Sequence, residues 1–148
     1  MRIKTLDNLE KIEKPWGYEV IFARSKNSGY IGKLLFIDAG ERLSMQYHEQ
    51  KEETILVKTG TLYLQTVGEI SDKEISDKAD INKLMESAYR EIVLVPGDVY
   101  HIPPFLSHRF AAKEEDVELI EVSTHQLNDI VRLNDDYGRV DLLGNDED

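Results

Sequence analysis

The stretch LSMQYHEQKEETILVKTG, Leu43–Gly60, decides the fold. Apolar and β-branched residues flank its polar centre, so Arg42 to Tyr47 and Thr54 to Val57 read as two strands separated by HEQKEE. Gly60 closes the second strand and TLYLQTV follows as a third. Side chains alternate faces along a strand, which puts Ser44, Gln46 and His48 on one face and Met45 and Tyr47 on the other. A turn at EQKE with an antiparallel return would bring Glu53 to the same face, beside His48. An amide, an imidazole and a carboxylate converging inside a barrel need a partner, because buried polar groups must be satisfied. A divalent metal ion satisfies all three at once.

The same strand rhythm extends in both directions. KPWGYEVIF starts a strand after a proline turn, SKNSG is a turn by composition, and YIGKLLFIDAG is a strand closed by Ala39 and Gly40. The residues before Lys14 are mixed and charged, a strand or an arm over a neighbour. Beyond the centre, IVLVPGDVYHIPP, SHRFAA and VELIEVSTH continue the pattern of short strands at turn-marked spacing that makes a sandwich or barrel. Residues 69–91 interrupt it with a polar insertion containing a tandem EISDK. Its second half, with Asp80 as N-cap before Ile81, Leu84, Met85 and Ala88, reads as a short amphipathic helix on a surface excursion. The tail DIVRLNDDYGR has a helical or irregular start, and residues 141–148 form an acidic, frayed terminus. The expected class is all-β with one or two short helices.

A second block, GDVYHIPPFLSHRF, offers a fourth ligand. A Gly-Asp turn enters a strand, Pro103 and Pro104 bend the chain, and His108 opens the next strand.

Composition bounds the rest. The chain has 148 residues and is 41% hydrophobic, enough for one core, and is read as a single domain over 1–148. Its 18 Lys and Arg against 29 Asp and Glu give a formal charge of -11, a field that repels nucleic acid and anionic membrane surfaces. An anionic substrate would need a local cluster of cations. The absence of cysteine removes disulfides and thiolate ligands. No segment has the length of a signal peptide core or a membrane span, so a cytoplasmic location is expected.

The two blocks resemble the paired motifs of the cupin superfamily, whose fold is a double-stranded β-helix or jelly-roll barrel. Gly40, Gln46, His48, Glu53 and Gly60 fall in the register of the first motif, and Gly97, Pro103 and His108 in that of the second. The chain departs at Phe105 and Ala112, where Gly and Asn are usual. KPWGYEVIF, the Leu43 block and the DIVRLNDDYGR tail further resemble the C-terminal cupin domain of type II phosphomannose isomerases, with Lys51 where that family usually has Arg and Ile55 near its usual aromatic. The nucleotidyltransferase domain of that family has no counterpart in this sequence.

The resemblance implies an isomerase interconverting mannose 6-phosphate and fructose 6-phosphate through an enediolate. It also implies one divalent metal held by Gln46, His48, Glu53 and His108. Zinc is the first choice, with iron, manganese and nickel close behind, because His and oxygen ligands discriminate weakly. Glu121, an acid among apolar neighbours in VELIEVST, is the expected base, the alternative being an ion-paired residue filling the barrel. His101 is a second acid/base or substrate-contacting candidate, weighed against an ordinary rim histidine. Lys33 and Arg139 are further catalytic candidates that would also contact the phosphate, and Arg42 and Arg132 are substrate-binding candidates, each weighed against a surface salt bridge. Arg109 is expected to point away from the metal, and Trp16 to pack rather than platform a sugar. The expected partners are a small phosphorylated sugar and a second copy of the chain, as cupins commonly form homodimers. A mononuclear iron dioxygenase and a non-catalytic sugar-binding module are the rival readings, since the fold alone does not choose.

Overall fold

A computed structural model describes residues 3–70, 77–126 and 128–139. The chain opens with a 3-10 turn at Leu6–Asn8 and then runs through β1 (Lys11–Lys14), β2 (Gly17–Ser25), β3 (Tyr30–Ile37), β4 (Met45–Tyr47), β5 (Glu53–Thr59) and β6 (Leu62–Thr66). Helix α1 (Lys78–Ser87) follows, then β7 (Arg90–Leu94), β8 (Val99–Ile102), β9 (Arg109–Ala111), β10 (Val117–Thr124) and β11 (Val131–Asn134). The architecture is all-β with one α-helix among the described residues, as the strand rhythm predicts. No helix among them is long and apolar enough to cross a membrane.

The strands form two facing layers. A six-stranded antiparallel sheet runs β1-β2-β3-β10-β5-β8. Opposite it lie β7-β6-β9 and the pair β11-β4, joined by the bridges Gln46↔His108 and Arg42↔Ala111. This layer arrangement is the jelly-roll barrel. Period-two alternation explains how each strand takes its place: along β10, Val117, Leu119, Glu121 and Ser123 are buried, whereas Glu118, Ile120, Val122 and Thr124 are half-buried or exposed. Between the layers Leu35, Ile37, Ile55, Val57, Leu62, Leu64, Ile102, Phe110 and Leu119 form the main core, with Trp16 packed in it at 4% exposure. Each such side chain contributes roughly 1.5–3 kcal/mol through burial. Gly60 makes the turn from β5 to β6 at φ 79°, and a Cβ there would sit 2.2 Å from the Asp116 carbonyl oxygen.

Two local expectations are corrected. The helix is capped by Asp77, whose side chain accepts from the Asp80 N–H, so Asp80 lies inside the first turn rather than at the N-cap. Nor is the helix a bare surface excursion. Ile81 is buried, and with Leu84, Met85 and Ala88 it packs on a second core cluster of Met45, Val67, Ile70 and Leu133. That apolar stripe has somewhere to go because β4, too short to be shielded by its own sheet, turns Met45 outward while Gln46 faces in. The tandem repeat falls largely on 71–76, outside the described residues, as does the acidic terminus 141–148. The tail starts irregularly at Asp129 and Ile130, the second of the two expected alternatives, and then becomes a strand: β11 pairs with β4 through Val131↔Tyr47 and Arg132↔Gln46. The unpaired edge of a three-residue strand supplies hydrogen bonds that outweigh local preference.

Phe105, standing where the second motif usually has Gly, has φ 67°, the left-handed conformation that Gly adopts without cost. Its N–H donates to the His48 carbonyl at 2.7 Å and its ring stacks on Tyr47, with centroids 6.1 Å apart. The turn geometry of the motif is therefore kept, and aromatic packing stands in for backbone freedom.

Candidate metal centre and active-site cavity

Gln46 and His48 lie on and just after β4, His108 just before β9, and Glu53 at the start of β5. A hairpin between β4 and β5 is not what unites them. β5 pairs with β10 and β8 in the six-stranded sheet, whereas β4 pairs with β11 and, through the reciprocal Gln46–His108 backbone bonds of 3.0 and 2.8 Å, with the opposite layer. The polar HEQKEE crosses from one layer to the other, so Glu53 faces the two histidines across the barrel.

The ligand atoms of His48, Glu53 and His108 all lie within 4.8 Å of one another. His48 Nε2 is 3.6 Å from Glu53 Oε2, and His108 Nε2 is 3.3 Å from Glu53 Oε1. Each ring is oriented by its other nitrogen. A carbonyl only accepts, so Nδ1 of His48 donates to the Asp129 carbonyl at 2.5 Å and Nδ1 of His108 to that of Leu106 at 2.9 Å. Both Nε2 atoms then point at the shared locus. Burial, reinforced by the neighbouring His108, lowers the His48 pKa to about 4, which keeps its ring neutral. Both Nε2 atoms and both Glu53 oxygens are buried without a well-directed hydrogen bond. Glu53 already has the Lys51 ammonium against Oε2, and two imidazole nitrogens with a carboxylate buried around one point are a donor set that fits a divalent cation. Gln46, its Oε1 accepting from Ser44 Oγ at 2.7 Å, lines the same cavity.

That cavity, of about 120 Å³, opens beside the ligands. Glu121 lines it from β10, 4% exposed, and Lys51 comes in from the crossing loop. Lys51 Nζ lies 2.9 Å from Glu53 Oε2 and 3.5 Å from Glu121 Oε2. Burial alone would raise the Glu53 carboxyl, but Lys51, His108 and His48 together outweigh it and hold the group well below the usual range. At Glu121 burial and the nearby Glu53 charge prevail, and the carboxyl is pushed up. Two carboxylates sharing one ammonium are thus driven apart, one locked as an anion and one poised to take up a proton.

The remaining sequence-derived candidates fall in different places. Lys33, Arg132 and Arg139 line the cavity. Lys33 Nζ is 3.4 Å from Glu19, and Arg139 grips Asp135 through Nε and Nη2 at 3.0 and 3.2 Å. Arg42 lies outside the lining, paired with Asp136 at 2.6 and 2.8 Å. His101 faces outward from β8 with Glu52 at 2.5 Å and has no contact with the cavity; it alternates with Ile102, which is the inward residue there. Arg109 points away from the ligands, donating to the Leu43 carbonyl and to Asn134. Sequence reasoning assigned no role to Lys51, Asp129 or Glu19. Lys51 carried the one available signal, a lysine inside the ligand block; nothing local marks Asp129 or Glu19, whose roles come from distant partners.

A family model for D-lyxose isomerase matches residues 20–147. No curated protein sequence matches the chain. Among solved structures, the capsular polysaccharide assembling protein CapF from Staphylococcus aureus superposes with TM-score 0.65 at 16% identity, over 85% of this chain and 34% of CapF, so the chain spans about a third of that protein's length. KdgF from Halomonas sp. gives 0.59 at 17% identity over 83% and 94% of the two chains. A sugar phosphate isomerase of the cupin superfamily from Silicibacter pomeroyi gives 0.59 at 18% over 84% and 76%. At these identities the solved structures share the fold, which is the cupin barrel inferred from the two motif blocks. By the family match across all but the first strands, this chain belongs to the D-lyxose isomerase family.

Proposed function

We propose that this protein is a metal-dependent aldose–ketose isomerase whose first substrate is a free aldose with the C2 and C3 configuration of D-lyxose, which D-mannose shares. The observation that carries this reading is the buried His48, Glu53 and His108 cluster standing beside a cavity that His48, Lys51 and Glu121 line, with Lys51 bridging Glu53 and Glu121. Isomerisation moves one proton from C2 to C1 and the hydroxyl proton from O2 to O1 while the double bond to oxygen shifts from C1 to C2. Glu121, raised by burial, takes the proton from C2 and returns it to C1, the same carboxyl acting as base and then acid. Lys51 stays an ammonium, since Glu121 and Glu53 more than offset its burial, and it donates to the oxygen on which negative charge grows. The ligands Gln46, His48, Glu53 and His108 would hold a divalent ion that polarises the two substrate oxygens, keeping net positive charge because only Glu53 is anionic. Trp16, Leu35 and Phe110 of the core form the apolar part of the cavity wall.

Mannose 6-phosphate, expected from the phosphomannose isomerase resemblance, is the second reading. Lys14, Lys33, Arg132 and Arg139 around the cavity favour it. It ranks second because Lys14 and Lys33 already face Glu19, and Arg139 faces Asp135. A coupled assay with D-lyxose, D-mannose and mannose 6-phosphate, after reconstitution with manganese, zinc, iron or nickel, decides between them. Sugar binding without turnover under every metal would leave a binding module and refute the isomerase.

A further inference from the structure

We infer that Glu19 is the specificity residue of the cavity, receiving the hydroxyl groups at the far end of the sugar chain and turning away a phosphate there. The inference rests on the aldose isomerase reading and extends it to the end of the substrate remote from the chemistry.

Glu19 lies on β2 among residues that fill the barrel, 7% exposed, where a carboxylate is costly to bury unless it has partners. It lines the same cavity as Glu121. Strand register fixes the separation: Glu121 pairs with Lys33 on β3, and the next inward residue of β3, Leu35, pairs with Glu19. The two residues are therefore two strands across and two positions along, roughly 12 Å between backbones. An open-chain pentose with C1 and C2 at Glu121 extends its C4 and C5 hydroxyls into that interval.

The cations beside Glu19 do not saturate it. Lys33 Nζ is 3.4 Å from Oε2 and Lys14 Nζ is 3.9 Å from Oε1. Charge-assisted bonds close to about 2.7–2.9 Å when a pair is built for itself. A carboxylate offers about four acceptor sites, so two loose contacts leave capacity for two hydroxyl donors. The ammonium groups supply donors alongside it for the sugar oxygens. Adjacent donor and acceptor groups suit a vicinal diol, which is both. A phosphate dianion has no proton to give Glu19 and, repelled by its charge, would have to compete with it for Lys14 and Lys33.

The test uses the full-length, metal-loaded protein and the variants Glu19→Gln and Glu19→Asp. D-Arabinitol, the reduction product of D-lyxose, is titrated by calorimetry because it binds without turning over. L-Erythrose, which keeps the C2 and C3 configuration but lacks C5, is compared with D-lyxose in the isomerase assay. Glu19→Gln is expected to weaken D-arabinitol binding and lower kcat/KM for D-lyxose by about 10- to 100-fold, mainly through KM. L-Erythrose should lose no more than about threefold, because its missing carbon already forgoes part of the contact. Inorganic phosphate should inhibit Glu19→Gln more strongly than wild type. If Glu19→Gln does not fold, Glu19→Asp, which keeps the charge but shortens the reach, must show the same preference for loss on D-lyxose. Equal losses on both sugars, unchanged D-arabinitol affinity, or no polyol binding by wild type would overturn the inference. Wild type that binds D-arabinitol in a Glu19-dependent way yet isomerises no aldose would refute the isomerase reading alone.

Discussion

Asp129 holds His48 by its backbone and the loop beyond it by its side chain. The Asp129 carbonyl accepts from His48 Nδ1 at 2.5 Å, while its carboxylate accepts from the N–H groups of Glu49, Gln50 and Lys51 at 3.0, 2.6 and 2.8 Å. One residue of the tail thus sets the ring orientation of a ligand and the path of the loop that delivers Lys51. Three N–H donors hold the carboxyl below its usual range, in opposition to partial burial.

Asp129→Asn is therefore expected to weaken metal affinity by about 10-fold and destabilise the fold by about 1–3 kcal/mol, although residue 129 binds no metal. Metal titration and denaturant unfolding measure the two effects. Since the native carboxyl titrates below the unfolded one, its contribution is fully present above about pH 4 and disappears as pH falls through the native value. An Asn variant with wild-type metal affinity would show that the loop holds itself.

His48→Ala and His108→Ala should each lose bound metal and turnover together. Metal content by mass spectrometry and the thermal shift on adding metal report this, because an ion that binds only the native state raises Tm in wild type and not in the variants. Full activity in a metal-free His108→Ala protein would refute the centre.

The pH dependence of kcat/KM should have an acidic limb with a pKa above 4.5, the ordinary value for Glu, because burial and Glu53 push Glu121 up. Below that limb Glu121 is protonated and cannot take the C2 proton. Lys51 lowers the Glu121 value, so Lys51→Met should move the limb to higher pH as well as lowering its plateau. A limb that stays in place in Lys51→Met would mean that Glu121 is not the titrating group.

Helix α1 braces the ligand strand from behind, Ile81 packing with Met45 while Gln46 faces the cavity. Ile81→Ala should cost about 2–4 kcal/mol of stability, and metal affinity should fall with it. Destabilisation without any change in metal affinity would separate the helix from the site.

Strand order and ligand identity differ in how far a sequence alone determines them. Alternation in VELIEVST and in LSMQYH, with glycine turns at Gly40, Gly60 and Gly97, was enough to specify an all-β barrel and to put Gln46 and His48 on one inner face, since both follow from the local geometry of an extended chain. Glu53 and His108 were singled out by the resemblance of the two blocks to the cupin motifs, not by strand geometry. What only the tertiary structure decided depends on residues far apart in the chain. Glu53 reaches the histidines by crossing between layers rather than by a hairpin, and the tail becomes a strand because β4 has an open edge. Arg42 and His101 leave the site because Asp136 and Glu52 take them, and Lys51 enters it because Asp129, 78 residues further on, bends its loop inward. Periodicity reports which face a side chain takes; which partner meets it there is set by the packing of the whole barrel.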